Sequence, residues 1–150
     1  MQRSITHQKY LAPFIYLLLF IIYEGLSSIY LFLPPLFAVL FVLFSRAIKK
    51  EDAILISLVS FCLLVFEAEK GFLLFSSIIY FTLVHKFIMP KITKNFSCVS
   101  CIKVSYVLLS YVGFFIFYLV LANIFLLSTP SLNYYIIYYM VIEFLIVSIL

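Results

Sequence analysis

The feature that most limits this chain is the length of its apolar runs. Residues 10–44 contain one charged side chain, Glu24, and residues 104–150 contain one, Glu143. Between them, residues 53–84 are interrupted only by Glu67, Glu69 and Lys70. Hydrophobic residues make up 67% of the chain, charged residues 11%, and the mean hydropathy is +1.26. Soluble domains are about 45–50% apolar and about 25% charged. The pattern therefore predicts an all-α, polytopic integral membrane protein and leaves no soluble region for a classical active site. Three glycines and five prolines exclude a fibrous or low-complexity chain.

A span across about 30 Å of hydrocarbon takes roughly 20 residues. The first run is too long for one span and suits two short ones. Glu24-Gly25 and Ser27-Ser28 break it, and Pro34-Pro35 opens its second half. Applied along the chain, the same logic gives six candidate spans in three hairpins: 10–23, 29–44, 53–66, 72–84, 104–127 and 134–150. Several are short, so a re-entrant pair within either of the first two hairpins stays open, as does extension of the fourth span by His85, Lys86 and Phe87. The N-terminus has the basic-then-apolar look of a signal peptide. No A-x-A-like site follows, so the first helix is expected to be retained.

Charge supplies an independent test. Arg3 and Lys9 precede the first hairpin. Arg46, Lys49 and Lys50 separate the first from the second, and Lys86, Lys91, Lys94 and Lys103 separate the second from the third. If every hairpin crosses twice, nine of ten basic residues share one side, and only Lys70 lies opposite. The positive-inside rule then predicts a multi-pass protein of a bacterial inner membrane with both termini cytoplasmic. The excess of lysine over arginine, eight to two, fits an AT-rich genome.

Chemistry-bearing residues are few. Glu143 sits tenth of seventeen in the last span, with Tyr139 and Tyr135 one and two turns earlier on the same face. An isolated carboxylate at that depth costs several kcal/mol, so it is expected to face the bundle interior, as a proton or ion site, a partner-recognition point or a glutamic acid satisfied by tyrosine hydroxyls. Glu24, Glu67 and Glu69 fall at the outer ends of the first two hairpins, as an acidic external patch or as turn markers. Tyr134, Tyr135, Tyr138, Tyr139 and Tyr30 form an aromatic interface belt. Tyr106, Tyr111 and Tyr118 are packing residues or the sidewalls of a groove. Cys98 and Cys101 make a C-x-x-C pair without the second pair that zinc needs, and Cys62 lies in a span. No phosphate-binding loop, H-E-x-x-H or G-x-S-x-G occurs. The expectation is a protein that is not an enzyme and carries no cofactor or metal.

The layout resembles the rod shape-determining MreD family of bacteria. The first span carries Leu17-Leu18-Leu19-Phe20 and leads through a short outer loop to Pro35, which opens Leu36–Phe44. A basic turn at 46–50 follows. Leu63-Leu64-Val65-Phe66-Glu67 ends the third span and Gly71 opens the fourth, with Glu67 near the place of the family's aspartate. The chain departs from the family in having no glycine within 60–66, a shorter turn and no basic tail after the last span. The resemblance implies a non-catalytic scaffold for cell elongation and peptidoglycan synthesis. Its partners would be MreC, the glycosyltransferase RodA with its transpeptidase and, indirectly, MreB filaments. Glu143, Tyr139, Tyr135, Glu67 and Glu69 would serve partner recognition, and Arg46, Lys49, Lys50, Lys86, Lys91 and Lys94 would set the topology. The family's six-helix arrangement is also similar to the substrate-binding subunits of energy-coupling-factor transporters, the alternative function. Those subunits usually carry small residues on the first span, where this chain offers Ala12 and then Tyr16.

Overall fold

A computed structural model describes residues 3–150, with side chains from Leu11 onward; the side chains of Arg3 and Lys9 lie outside the described part. The described residues form six helices and no strand. They are α1 (Arg3–Ile29), α2 (Phe37–Lys50), α3 (Ala53–Lys70), α4 (76–95), α5 (Val99–Phe125) and α6 (Tyr135–Ile149). Two stretches, Leu11–Ile29 and Val99–Phe125, are long and apolar enough to cross a membrane.

Several boundaries differ from the pattern in the sequence, for local reasons. The first helix does not stop at Tyr23. Ser27 and Ser28 stay helical, because the Ser27 hydroxyl donates to the Leu33 carbonyl (3.0 Å) and Ser28 to Glu69 Oε2 (3.1 Å) instead of competing for the helix backbone. The second helix begins at Phe37, not at residue 29. Neither Pro34 nor Pro35 can donate, and each disfavours helical backbone in the residue before it. The chain then turns through Leu36, at a left-handed φ of 53°. The third helix continues past Phe66 to Lys70 and stops at Gly71, whose φ of 70° is the usual left-handed end of a helix.

The fourth and fifth helices each widen for one turn. In α4 the π-turn Val84–Ile88 lies just before Pro90, so Met89 N–H reaches Val84 and the missing Pro90 donor is absorbed without ending the helix. This carries α4 to Asn95, well beyond residue 84. In α5 the π-turn Leu109–Gly113 aims the Leu109 carbonyl at the Tyr80 hydroxyl (2.7 Å). Gly113 lets the ring approach, since a Cβ there would sit 2.0 Å from that hydroxyl oxygen.

The short helix α2 is the centre of the bundle and packs against α3, α5 and α6. Phe37, Phe41 and Phe44 project from it into an aromatic core. Phe37 stacks on Phe66 (centroids 4.9 Å apart) and Phe41 meets Phe81 (4.7 Å). Such ring pairs favour offset and edge contacts at these separations. Helix α1 is peripheral. It lies against α3, and most of its large apolar side chains are exposed.

Candidate functional site: buried glutamates, an aromatic cavity and a basic end

Glu143 is fully buried, and its carboxylate closes the N-terminus of α2. Oε1 accepts from Phe37 N–H (3.1 Å) and Oε2 from Ala38 N–H (2.6 Å). Tyr111 of α5 donates its hydroxyl to Oε1. The first turn of a helix has four N–H groups without helical partners and carries partial positive charge. Most helices cover them with a Ser, Thr, Asp or Asn at the start. Leu36 supplies no such group, so α6 provides the cap from 106 residues away. The expected Tyr135–Tyr139–Glu143 stripe therefore does not form as a bonded unit. Tyr139 donates to the Leu31 carbonyl (2.5 Å), and Tyr135 stacks on Tyr139 (6.3 Å between centroids). The helix end and Tyr111 fill the carboxylate's lone pairs from the other side.

Glu67 plays the same part for α4. Its Oε2 accepts from Phe75 N–H (2.7 Å), and its Oε1 accepts from Ser77 N–H (2.5 Å) and from the Ser76 (3.1 Å) and Ser77 hydroxyls. Phe75, like Leu36, is left-handed (φ 69°) and gives no side-chain cap. Glu24 differs from both. It is fully buried where α1 faces α3, and neither carboxyl oxygen has a hydrogen-bond partner among the described residues. The outer acidic patch is thus corrected. Glu24 and Glu67 are interior, and of the three only Glu69 is exposed.

Above Glu143 lies an open, mostly apolar cavity of about 830 Å³. Phe37, Phe66, Phe72, Phe114 and Tyr118 wall it, the 130–134 loop covers one side, and Lys70 stands at its edge. Tyr111 and Tyr118 both line this cavity and pack in the aromatic core, so they are packing residues and sidewalls at once. Their neighbour Tyr106 instead lines a second pocket at the opposite end of the bundle.

That opposite end gathers cations. Arg46 donates to the Leu150 carbonyl (3.1 Å) and Lys103 to the Ser148 carbonyl (2.8 Å), so the start of α5 and the ends of α2 and α6 meet there. Lys49 and Lys50 are exposed in the last turn of α2, and Lys86, Lys91 and Lys94 are exposed along the second half of α4. Cys98 is exposed at the start of α5, where a hydrogen bond from the Cys101 side chain holds its thiol below the ordinary value. Among the described residues no group of three His, Cys, Asp or Glu side chains is placed to hold a metal.

The sequence singled out Glu143 and Glu67 but not their partners. A signal for the partners was present. Both α2 and α4 begin on bulky apolar residues after a break, without the usual capping side chain, so each helix start needed an acceptor from elsewhere. No protein-family model, curated protein or solved structure matches the chain.

Proposed function

We propose that this chain is a multi-pass bundle of a bacterial inner membrane and a non-catalytic scaffold subunit of the MreD type, working within the machinery of cell elongation and peptidoglycan synthesis. The observation that carries the proposal is the division of polar and apolar groups. Glu143 and Glu67, the acids best placed for chemistry, are occupied in holding helix starts. The outer faces, meanwhile, are apolar: Leu18, Ile22 and Ile29 of α1, Ile116, Val120 and Ile124 of α5, and Ile137, Val141 and Leu145 of α6 are all exposed. Soluble monomers rarely leave contiguous apolar surface on this scale. In a bilayer that surface meets lipid, and partner helices dock on it by close packing and a few polar contacts.

Short α2 is compatible with this reading. Its 14 residues make only about 21 Å of helix. Residues 33–36 of the non-helical segment before it are buried or half-buried, with Tyr23 donating to the Pro34 carbonyl (2.8 Å) and Ser27 to Leu33, while Tyr30, Leu31 and Phe32 are exposed at its outer side. Irregular backbone at membrane depth is tolerated where protein encloses it. The cations gathered at one end support an orientation with that end, and both chain ends, in the cytoplasm.

Partner recognition then falls to α1, which is bound to the bundle along one side only, and to the tyrosines at the outer end of α6. MreC, RodA with its transpeptidase and, indirectly, MreB filaments are the proposed partners. The test is depletion in cells combined with co-purification from mild detergent. Loss of rod shape and recovery of MreC with the tagged chain are expected. Normal shape together with no MreC recovered removes the scaffold reading. Cys98 tests the orientation. It is expected to resist an impermeant thiol reagent in intact cells and to react after lysis, and labelling in intact cells inverts the topology.

The aromatic cavity favours a second reading, the substrate-binding subunit of an energy-coupling-factor transporter. Ligand pockets are commonly about 300–1,000 Å³ and mainly apolar, with a few polar groups. Co-purification with a pair of ATPases instead of MreC selects it.

A further inference from the structure

At the cytoplasmic end of the bundle a pocket of about 210 Å³ opens between α2, α5 and α6. Three cations line it: Arg46 and Lys49 from α2, and Lys103 from α5. Ser45 also lines it. That residue is 2% exposed, and its hydroxyl has no hydrogen-bond partner among the described residues. A buried hydroxyl without a partner is uncommon in folded proteins and calls for an explanation. The start of α5 lies at the same place, since Val99 and Ile102 line the pocket, and Cys98 before them gives no side-chain cap. The partial positive charge at the start of this 27-residue helix therefore lies beside the three cations.

The cations ask for an anion, and the Ser45 hydroxyl, without a partner among the described residues, can turn to donate to one. Arg46 gives one hydrogen bond to Leu150 and Lys103 one to Ser148, which leaves further N–H groups on both. The pocket is smaller than the usual range for whole small molecules, so it suits a single phosphate with its first ester carbons rather than a nucleotide. The remaining walls are apolar: Val42 and Val147 close the pocket from the buried side, and Val99 is exposed at the surface beside it. Basic pockets between transmembrane helices at the cytoplasmic side are places where acidic headgroups bind.

We propose that Ser45, Arg46, Lys49 and Lys103 form a site for the phosphate group of an anionic phospholipid, with the acyl chains lying along the apolar faces beside it. The site rests on the membrane reading above, which sets this end of the bundle at headgroup level. A bound lipid there would tie α2, α5 and α6 together at the end opposite Glu143.

The test uses the full chain purified in detergent and native mass spectrometry with phosphatidylglycerol or phosphatidylcholine of identical acyl chains. Preferential retention of phosphatidylglycerol is expected. Lys49→Gln and Lys103→Gln should each lower that retention about fivefold, the effect of one interfacial lysine. Ser45→Ala should lower it about tenfold or more, as loss of a hydrogen bond to a charged group. The Ser45 hydroxyl has no partner among the described residues, so this variant should melt with the wild type and separate ligand loss from misfolding. Equal retention of the two lipids, or variants that hold phosphatidylglycerol as the wild type does, overturns the proposal. A competition arm separates the two sources of phosphate: inorganic phosphate that displaces phosphatidylglycerol assigns the pocket to the free ion and overturns the lipid assignment. Carbonate extraction of cell membranes reads the membrane assignment separately. Release of the chain there sinks that reading, while lipid retention in detergent still decides the pocket.

Discussion

Two helix starts in this molecule are built from the same parts in different settings. Helix α2 and helix α4 both follow a left-handed apolar residue, lack a cap of their own and receive a buried glutamate from another helix. For α4 the glutamate is eight to ten residues away, in the last turn of the preceding helix, and Ser76 and Ser77 share the carboxylate. For α2 it comes from the final helix, more than a hundred residues later, with Tyr111 as the only side-chain donor among the described residues. The local cap fixes a hairpin. The distant cap joins α2, α5 and α6 at one point, so closing the fold and satisfying Glu143 are a single event.

The sharpest way to break this comparison is Glu143→Ala. It leaves two backbone N–H groups and the Tyr111 hydroxyl without an acceptor in the core. Each unsatisfied buried group costs about 1–3 kcal/mol; with three such groups at the lower end of that range a loss of about 3–5 kcal/mol is expected, read as a change in unfolding free energy in mixed micelles. A loss below about 1 kcal/mol would mean that α2 starts equally well without the long-range cap.

Glu67→Ala is expected to cost less, about 2–3 kcal/mol by the same measurement. Ser76 and Ser77 lie in the first turn of α4 and can turn their own oxygens toward the freed N–H groups, a type of local cap that Phe37 and Ala38 cannot offer. Equal losses for the two alanine variants would erase the distinction between local and long-range capping.

Tyr111→Phe separates the side-chain share of the Glu143 cap from its backbone share. Both N–H groups remain bonded, and the carboxylate loses one donor. A loss of about 1–2 kcal/mol is expected in thermal melts. A loss as large as that of Glu143→Ala would make the tyrosine, rather than the helix end, the main partner.

The contrast also marks what the sequence could say. The six-helix outline was legible from the apolar runs, because an interval between charges sets where a helix can lie buried or in lipid. The gathering of Arg46 and Lys103 at one end was legible for the same reason. Boundaries were less so. Glu24, Ser27 and Ser28 look like a break, yet they remain in α1 because partners outside the helix take the serine hydroxyls. The depth of Glu143 was visible, but its direction was not. Periodicity placed it on a face with Tyr139. The choice of Phe37, Ala38 and Tyr111 depended on which helix start lacked a cap, and that required knowing where α2 begins. Glu67 looked like an outer turn marker for the same reason: nothing in 63–71 reveals that the next helix starts without a cap.

Glu24 supplies the smallest expected effect and the control of opposite sign. Like Glu67 and Glu143 it is fully buried and contributed by a helix, but no donor among the described residues reaches either oxygen. If burial alone made these glutamates valuable, Glu24→Leu would destabilise the bundle as the other two substitutions do. If hydrogen bonding to helix starts is what matters, removing Glu24 breaks no bond and relieves the cost of burying a carboxyl group against α3. Leucine fills much of the same space, and replacing a buried polar group by an apolar one of similar shape is nearly neutral or stabilising. The melting temperature in detergent is therefore expected to stay level or rise, by up to about 1 kcal/mol of stability at the midpoint. A clear loss would show that Glu24 accepts a bond in solution and belongs with the two caps. Glu24→Gln then tells charge from shape: if the carboxylate is what α1 and α3 tolerate at a cost, glutamine should follow leucine in direction with a smaller step.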